Sequence, residues 1–256
     1  MSEDRIEKIL KNLKRLNSSQ LLTVDRLTTQ LLTPFVQIIR NDSSDIVTEE
    51  ILWGLGDTLR MHHGLSKEAF SKDKFEYALE RVLLDSGVNA QLARTGNPGN
   101  DIEIEGIKVS LKTQADGKIK RDFLWISKFM ELGKGKWGND PEDLNNLMTM
   151  FLNHMRDYER IFSLRCLNKG PRIWTYELVE IPLELLHEAK DGRLEMKLNS
   201  KQSPKPGYCY VYDRNERLKF QLYFDGGGER KLQISKLRKD LCIVHASWSF
   251  EITTSG

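Results

Sequence analysis

Long apolar runs are missing from this chain. No stretch approaches the roughly 20 residues needed to cross a bilayer, which excludes a membrane-spanning helix. The opening MSEDRIEKIL has no apolar core of a secretion signal, so a cytoplasmic protein is expected. Cysteine is scarce: Cys166, Cys209 and Cys242 are widely spaced and odd in number, which fits a reducing compartment and not a disulfide framework. Neither sign of charge dominates, since 39 Lys and Arg stand against 37 Asp and Glu, so nothing global demands a polyanionic partner. No segment rich in Pro, Gly or Ser divides the 256 residues, and there are no tandem repeats. One domain with elaborations is expected.

What is present begins with helix. Ile6, Ile9, Leu10, Leu13 and Leu16 follow helical spacing, and NSSQ caps a second helix through Leu21, Leu22, Leu27 and Leu31 until Pro34. Residues 1–50 therefore read as a helical arm or subdomain, and 51–256 as one compact unit. Ser71 caps a stronger helix with Phe75, Ala78, Leu79, Val82 and Leu83 on one face and Gly87 at its stop. Glu76 borders that apolar face. A helix from Pro141 to about Tyr158, capped by Asp140, and a short one in PLELLHEA interrupt a series of strands. The strands are FLWISKFM, IFSLRCL, IWTYELVEI, YCYVYD, KFQLYFD and LCIVHASWSFEI. This mixture predicts an α/β (α+β) fold, with helices around a mixed sheet.

Several apparent motifs carry little chemistry. His62 and His63 are adjacent, so their side chains diverge in either a helix or a strand, against a metal pair. Cys242 and His245 lack the second pair of a zinc site. DGGGE lacks the Gly-Lys-Ser ending of a phosphate loop and reads as a hairpin turn. His154 and His187 are expected on helices near the surface.

The informative stretch is NPGNDIEIEGIKVSLKTQ, residues 97–114. With Glu105 and Gly106 as a two-residue turn, Ile104 faces Ile107, Glu103 faces Lys108, Ile102 faces Val109 and Asp101 faces Ser110. Asp101, Glu103, Lys108, Ser110 and Lys112 then project to one side. Ile102, Ile104, Ile107, Val109 and Leu111 project to the core. A half-exposed hairpin with solubilising charges would satisfy this pattern. So would metal-dependent phosphodiester hydrolysis, because Mg²⁺ takes oxygen ligands including one or two carboxylates, and a neighbouring ammonium offsets charge on phosphate oxygens. The Leu111 carbonyl, between Ser110 and Lys112, is a candidate further ligand.

The arrangement resembles the PD-(D/E)xK nucleases, with a departure at Ser110, where that signature has an acid. It is more closely similar to the SmaI-type restriction endonucleases. The resemblance rests on GDTLRMHH (56–63), FEYAL (75–79), residues 97–113, SKFMELGKGKW (127–137) and YERIFSLR (158–165). SKQSPKPGYCYV (200–211), YFDGGGERKLQI (223–234) and CIVH (242–245) continue it, in order, across most of residues 50–250. It implies a PD-(D/E)xK restriction-endonuclease-like fold and a homodimeric, Mg²⁺-dependent enzyme that cuts double-stranded DNA at a palindrome. The site implied is CCCGGG, cut centrally to leave blunt ends. Carried over by position, Asp101 is the metal-binding aspartate and Lys112 the catalytic lysine. Glu76, in the FE pair, is the expected second carboxylate, with Glu103 and Glu131 as alternatives. For DNA contacts, Arg230, Lys231, Lys201 and Lys205 are candidates for guanine edges, and Lys134 and Lys136 for phosphates. A DNA-binding protein that does not cleave, or a repair nickase, would share the fold.

Overall fold

The computed structural model describes residues 3–94, 99–115, 119–133, 137–170 and 172–253. Two N-terminal helices, α1 (Glu3–Leu13) and α2 (Ser18–Leu32), precede strand β1 (Phe35–Arg40). The helices α3 (Glu49–Leu65) and α4 (Lys72–Asp85) follow, then β2 (Ala90–Leu92), β3 (Ile102–Ile104), β4 (Ile107–Gln114) and β5 (Phe123–Glu131). After α5 (Asp143–His154) come β6 (Arg160–Lys169), β7 (Ile173–Glu180), α6 (Leu183–His187) and β8 (Arg193–Met196). The chain closes with β9 (Gly207–Tyr212), β10 (Leu218–Phe224), β11 (Lys231–Arg238) and β12 (Ile243–Glu251).

The strands divide into two sheets. A mixed seven-stranded sheet has the order β1-β12-β7-β6-β4-β3-β2, with β4 and β6 parallel. A five-stranded antiparallel sheet has the order β5-β11-β10-β9-β8. Alternation along β6 and β7 sends side chains to two cores. Phe162, Leu164, Tyr176 and Leu178 pack with α3 and α4, while Ile161 and Val179 pack with α5, α6 and the smaller sheet. Helices therefore cover both faces of the central mixed sheet.

The hairpin has the expected register: Ile102 pairs with Val109, Glu103 with Lys108, and Ile104 with Ile107. Glu105 and Gly106 both have positive φ, 51° and 81°, as a type I′ turn requires. Ile102, Ile104, Val109 and Leu111 are 3% exposed or less. Burying each stabilises the fold by about 1.5–3 kcal/mol, and a one-residue slip would turn all four toward solvent. That energy fixes the face on which Asp101 and Lys112 emerge. Ile107 departs from expectation: beside the turn it has run past the core and is 38% exposed.

Strand β1 also departs from the helical reading of the first fifty residues. Phe35–Arg40 pairs antiparallel with β12 at the sheet edge. The fully buried Gln30 of α2 donates to the Glu251 carbonyl and accepts from Thr253, tying the preceding helix to the chain's far end.

Arg165 fixes the wall of the future cleft. Its fully buried guanidinium pairs with Glu177 and donates to Gln114 (3.0 Å) and to the carbonyls of Lys120 (2.8 Å) and Phe123 (2.7 Å). A buried charge is tolerable because its donors are satisfied, and those bonds hold the entry to β5.

His63 belongs to the core. Its ring lies 3.8 Å from that of Trp174, Nδ1 donates to the Ser66 carbonyl, and Nε2 accepts from the Tyr176 hydroxyl at 2.7 Å. The ring is thus neutral with both nitrogens used. Burial, with His62 alongside, pushes its pKa down to about 4. The unfolded chain then binds a proton below about pH 6.5 that the folded chain refuses, so stability falls as pH drops from there toward 4. The expected loss is about 3 kcal/mol. Denaturant midpoints across this range should show it in the wild type and show a shallower slope in His63→Gln; an unchanged slope would exonerate the histidine.

Candidate active site

Asp101 sits just before β3, where that strand stops covering the edge of β4. Its Oδ2 accepts the Leu111 N–H at 2.5 Å and the Ser110 hydroxyl at 3.1 Å, and Oδ1 faces the Lys72 ammonium at 2.6 Å. In a strand the N–H and C=O of one residue point the same way. The Leu111 carbonyl therefore lies on the same edge of β4 as Asp101. Pro98, in the lead-in to this aspartate, lies outside the described residues.

Glu76 reaches the same point from α4. Ser71 caps this helix by accepting from the Lys74 N–H, and Lys72 occupies its first position. One turn apart on one face, Lys72 and Glu76 form an ion pair at 3.0 Å. The ammonium thus bridges Glu76 and Asp101, whose side chains are 21% and 17% exposed. Burial works to lower the pKa of Lys72, but the two carboxylates outweigh it and raise it. Both carboxylates converge on one cation position, and the donors around it are oxygens. That set suits a hard divalent ion such as Mg²⁺.

Lys112 projects beside them. Its ammonium donates to the Ser110 hydroxyl at 2.8 Å and lies 5.6 Å from the centre of the Phe129 ring. Ser110, where the broader signature has an acid, links Lys112 to Asp101 through one hydroxyl. Burial lowers the pKa of Lys112 to about 8, with Asp101 acting against that shift and Lys72 adding to it.

These groups open onto a cleft of about 700 Å³ lined by Lys72, Asp101, Lys112, Phe129 and His154, among others. Two residues beside it escape sequence reading. His154, expected near the surface, has a side chain only 16% exposed, packed edge-on to Phe129 and Tyr158. Burial, then the charge of Lys112, lowers its pKa. The Tyr158 hydroxyl is buried without a hydrogen-bond partner among the described residues, and burial followed by the Asp101 charge raises its pKa. Lys72 is the third omission; its one signal is the four-residue spacing to Glu76. The alternative carboxylates stand apart from this cluster. Glu103 is exposed nearer the turn, opposite Lys108, and Glu131 pairs with Lys128 at the rim.

The basic candidates fall into two groups. Lys134 and Lys136 lie outside the described residues. The other four come from the loop before β9 and from the turn into the first residue of β11, which pack together: Gln202 donates to Asp225 at 3.1 Å, and a Cβ on Gly226 would strike the Pro204 carbonyl. Arg230, with a left-handed φ of 41°, lines a second cleft of about 500 Å³ with Gln202 and Glu131. Glu131 also borders the first cleft, so the two adjoin. Lys201 is exposed, whereas Lys231 pairs with Glu229 and Lys205 donates to the Ser200 carbonyl at 2.6 Å. Lys205 and Lys231 thus already have partners within the chain.

Asp45, Glu180 and His245 also gather metal-type donors within 4.8 Å of one another. Arg160 fills that cluster, donating twice to each carboxylate at 2.6–2.9 Å, and His245 completes it through Glu180. The guanidinium thus occupies the place between the carboxylates that a metal would need.

The comparisons with known proteins agree on the type of enzyme. Over 209 residues the chain is 49% identical to the type II restriction enzyme SmaI of Serratia marcescens, covering 81% of this chain and 83% of that one. Residues 10–250 match the family SmaI, type II site-specific deoxyribonuclease. The matched span includes Asp101, Glu76, Lys112 and both loops of the second cleft. With its mixed sheet, flanking helices and near end-to-end match, the chain belongs to the SmaI family of type II site-specific deoxyribonucleases.

Proposed function

We propose that this type II restriction endonuclease uses Mg²⁺ to hydrolyse both strands of DNA at the palindrome CCCGGG, cutting at its centre to leave blunt ends. A homodimer accounts for the palindrome, since two equivalent subunits read two equivalent half-sites. The observation that carries the metal-dependent reading is the convergence of Asp101 and Glu76 on a single cation position beside Lys112. Asp101, Glu76 and the Leu111 carbonyl would hold the ion. A bound Mg²⁺ supplies charge neutralisation at the scissile phosphate and makes water more acidic.

The chain's own residues do the rest. The Leu111 N–H and the Ser110 hydroxyl hold the Asp101 carboxylate in one rotamer. Ser110 also holds the Lys112 ammonium, which orients the attacking water and offsets charge on the phosphate oxygens. Phe129 walls the cleft with apolar surface. Arg230 in the adjoining cleft and the exposed Lys201 nearby would reach base edges, and a guanine-rich half-site suits them because O6 and N7 accept bonds from a guanidinium or an ammonium.

Plasmid carrying one CCCGGG site tests this directly. The expected product is linear DNA with Mg²⁺ and intact plasmid with EDTA, and sequencing of the ends should find them flush at the centre of the site. A nicked product would overturn double-strand cleavage, and ends mapping elsewhere would overturn the assigned sequence.

A further inference from the structure

We infer that Lys72 is a built-in counter-ion that holds the place of the divalent metal and must swing out for the metal to enter. The inference rests on the proposed metal site and concerns a residue to which that proposal gives no role. Lys72 Nζ lies 2.6 Å from Asp101 and 3.0 Å from Glu76, inside the position where both carboxylates converge. An ammonium and a metal ion cannot share it: their charges repel, and each needs the same oxygens.

The setting argues against a merely structural lysine. A cation in the first turn of a helix opposes the positive end of the helix dipole, so α4 gains nothing from a lysine there. What gains is the carboxylate pair, which would otherwise face each other partly desolvated with only Lys112 nearby to offset two charges. Movement is also feasible. The Ser71 cap anchors the backbone, so only the four-carbon stem must turn, and the Lys72 side chain is 40% exposed where it borders the main cleft.

Charge counting gives the consequence. Without metal, Asp101 and Glu76 balance Lys72 and Lys112. With a divalent ion added and Lys72 displaced into the cleft, the same groups carry two surplus positive charges, which a DNA phosphate can neutralise. Lys72 therefore makes metal binding weak in the free enzyme and couples it to the arrival of DNA. Its action is on metal entry, through the ligands it occupies.

The test is Mn²⁺ binding without DNA, read by the electron paramagnetic resonance signal of free Mn²⁺, on the full-length enzyme. Lys72→Met keeps the stem and removes the charge, and is expected to bind Mn²⁺ about ten-fold more tightly than the wild type. Lys72→Arg keeps a cation and is expected to bind no more tightly than the wild type. Lys72→Gln stands in for the methionine variant if thermal melting shows that the latter does not fold. Equal or weaker binding by the neutral variants would overturn the inference. Asp101→Asn separates the two levels. If it abolishes binding while the Lys72 variants match the wild type, the counter-ion role alone fails. If it binds like the wild type, the metal-site reading fails with it.

Discussion

Asp101→Asn is expected to lower DNA cleavage on the order of 10⁴-fold while leaving the protein folded and able to bind DNA. The size follows from which contacts the change keeps. Asparagine retains one oxygen, which can still accept the Leu111 N–H and the Ser110 hydroxyl that now orient the carboxylate. The atom facing Lys72 becomes an amide NH₂, with no negative charge and no lone pair for a cation. Lys72 keeps Glu76 as a partner, so the stability cost is about 1 kcal/mol, in the range of partly exposed ion pairs. Single-turnover cleavage, a mobility shift with the same DNA and a thermal melt measure the three quantities separately. Cleavage within about ten-fold of wild type would remove Asp101 from the chemistry.

The hairpin that carries Asp101 was readable because its determinants are local. Gly106 supplies one of the two positive φ values that the turn needs, and four alternating aliphatic side chains set the face. Helix α4 was equally legible through its cap and apolar stripe. Strand β1 was not, for a physical reason: a bulge between Phe35 and Gln37 breaks the period of two, leaving Val36 and Ile39 exposed. Its partner lies some two hundred positions away, and no local pattern encodes that pairing. Nor does alternation say which sheet a strand joins, so the division into seven and five strands was hidden. The same limit applies to the site. Spacing could bring Glu76 to the border of a buried face. It could not put the Lys72 ammonium between two carboxylates on separate elements, or bury His154 against Phe129 and Tyr158, which stand on a strand and at the end of a helical turn.

The consequence is a site with two lysines in unlike settings, and they should fail differently on mutation. Lys72 touches both carboxylates directly and reports on metal entry. Lys112 touches neither; it reaches Asp101 only through the Ser110 hydroxyl and is the more deeply set of the two. A neutral residue at 72 removes a competitor, whereas a neutral residue at 112 removes a participant.

Lys112→Met is accordingly expected to slow cleavage about a thousandfold, with DNA affinity and metal binding close to wild type. Methionine matches the length of the stem and its packing on Phe129, so the principal loss is the ammonium. That ammonium is well suited to handling water at a phosphate. Burial has pulled its pKa to about 8, so it is mostly charged at pH 7 yet gives up a proton far more readily than an exposed lysine. In the metal-free protein its charged fraction falls as pH rises through 8. The effect should appear in kcat, since DNA is held mainly by contacts outside this residue. Loss of DNA binding in parallel with cleavage would make Lys112 a DNA anchor, and cleavage within about ten-fold of wild type would leave the attacking water to be oriented by another group.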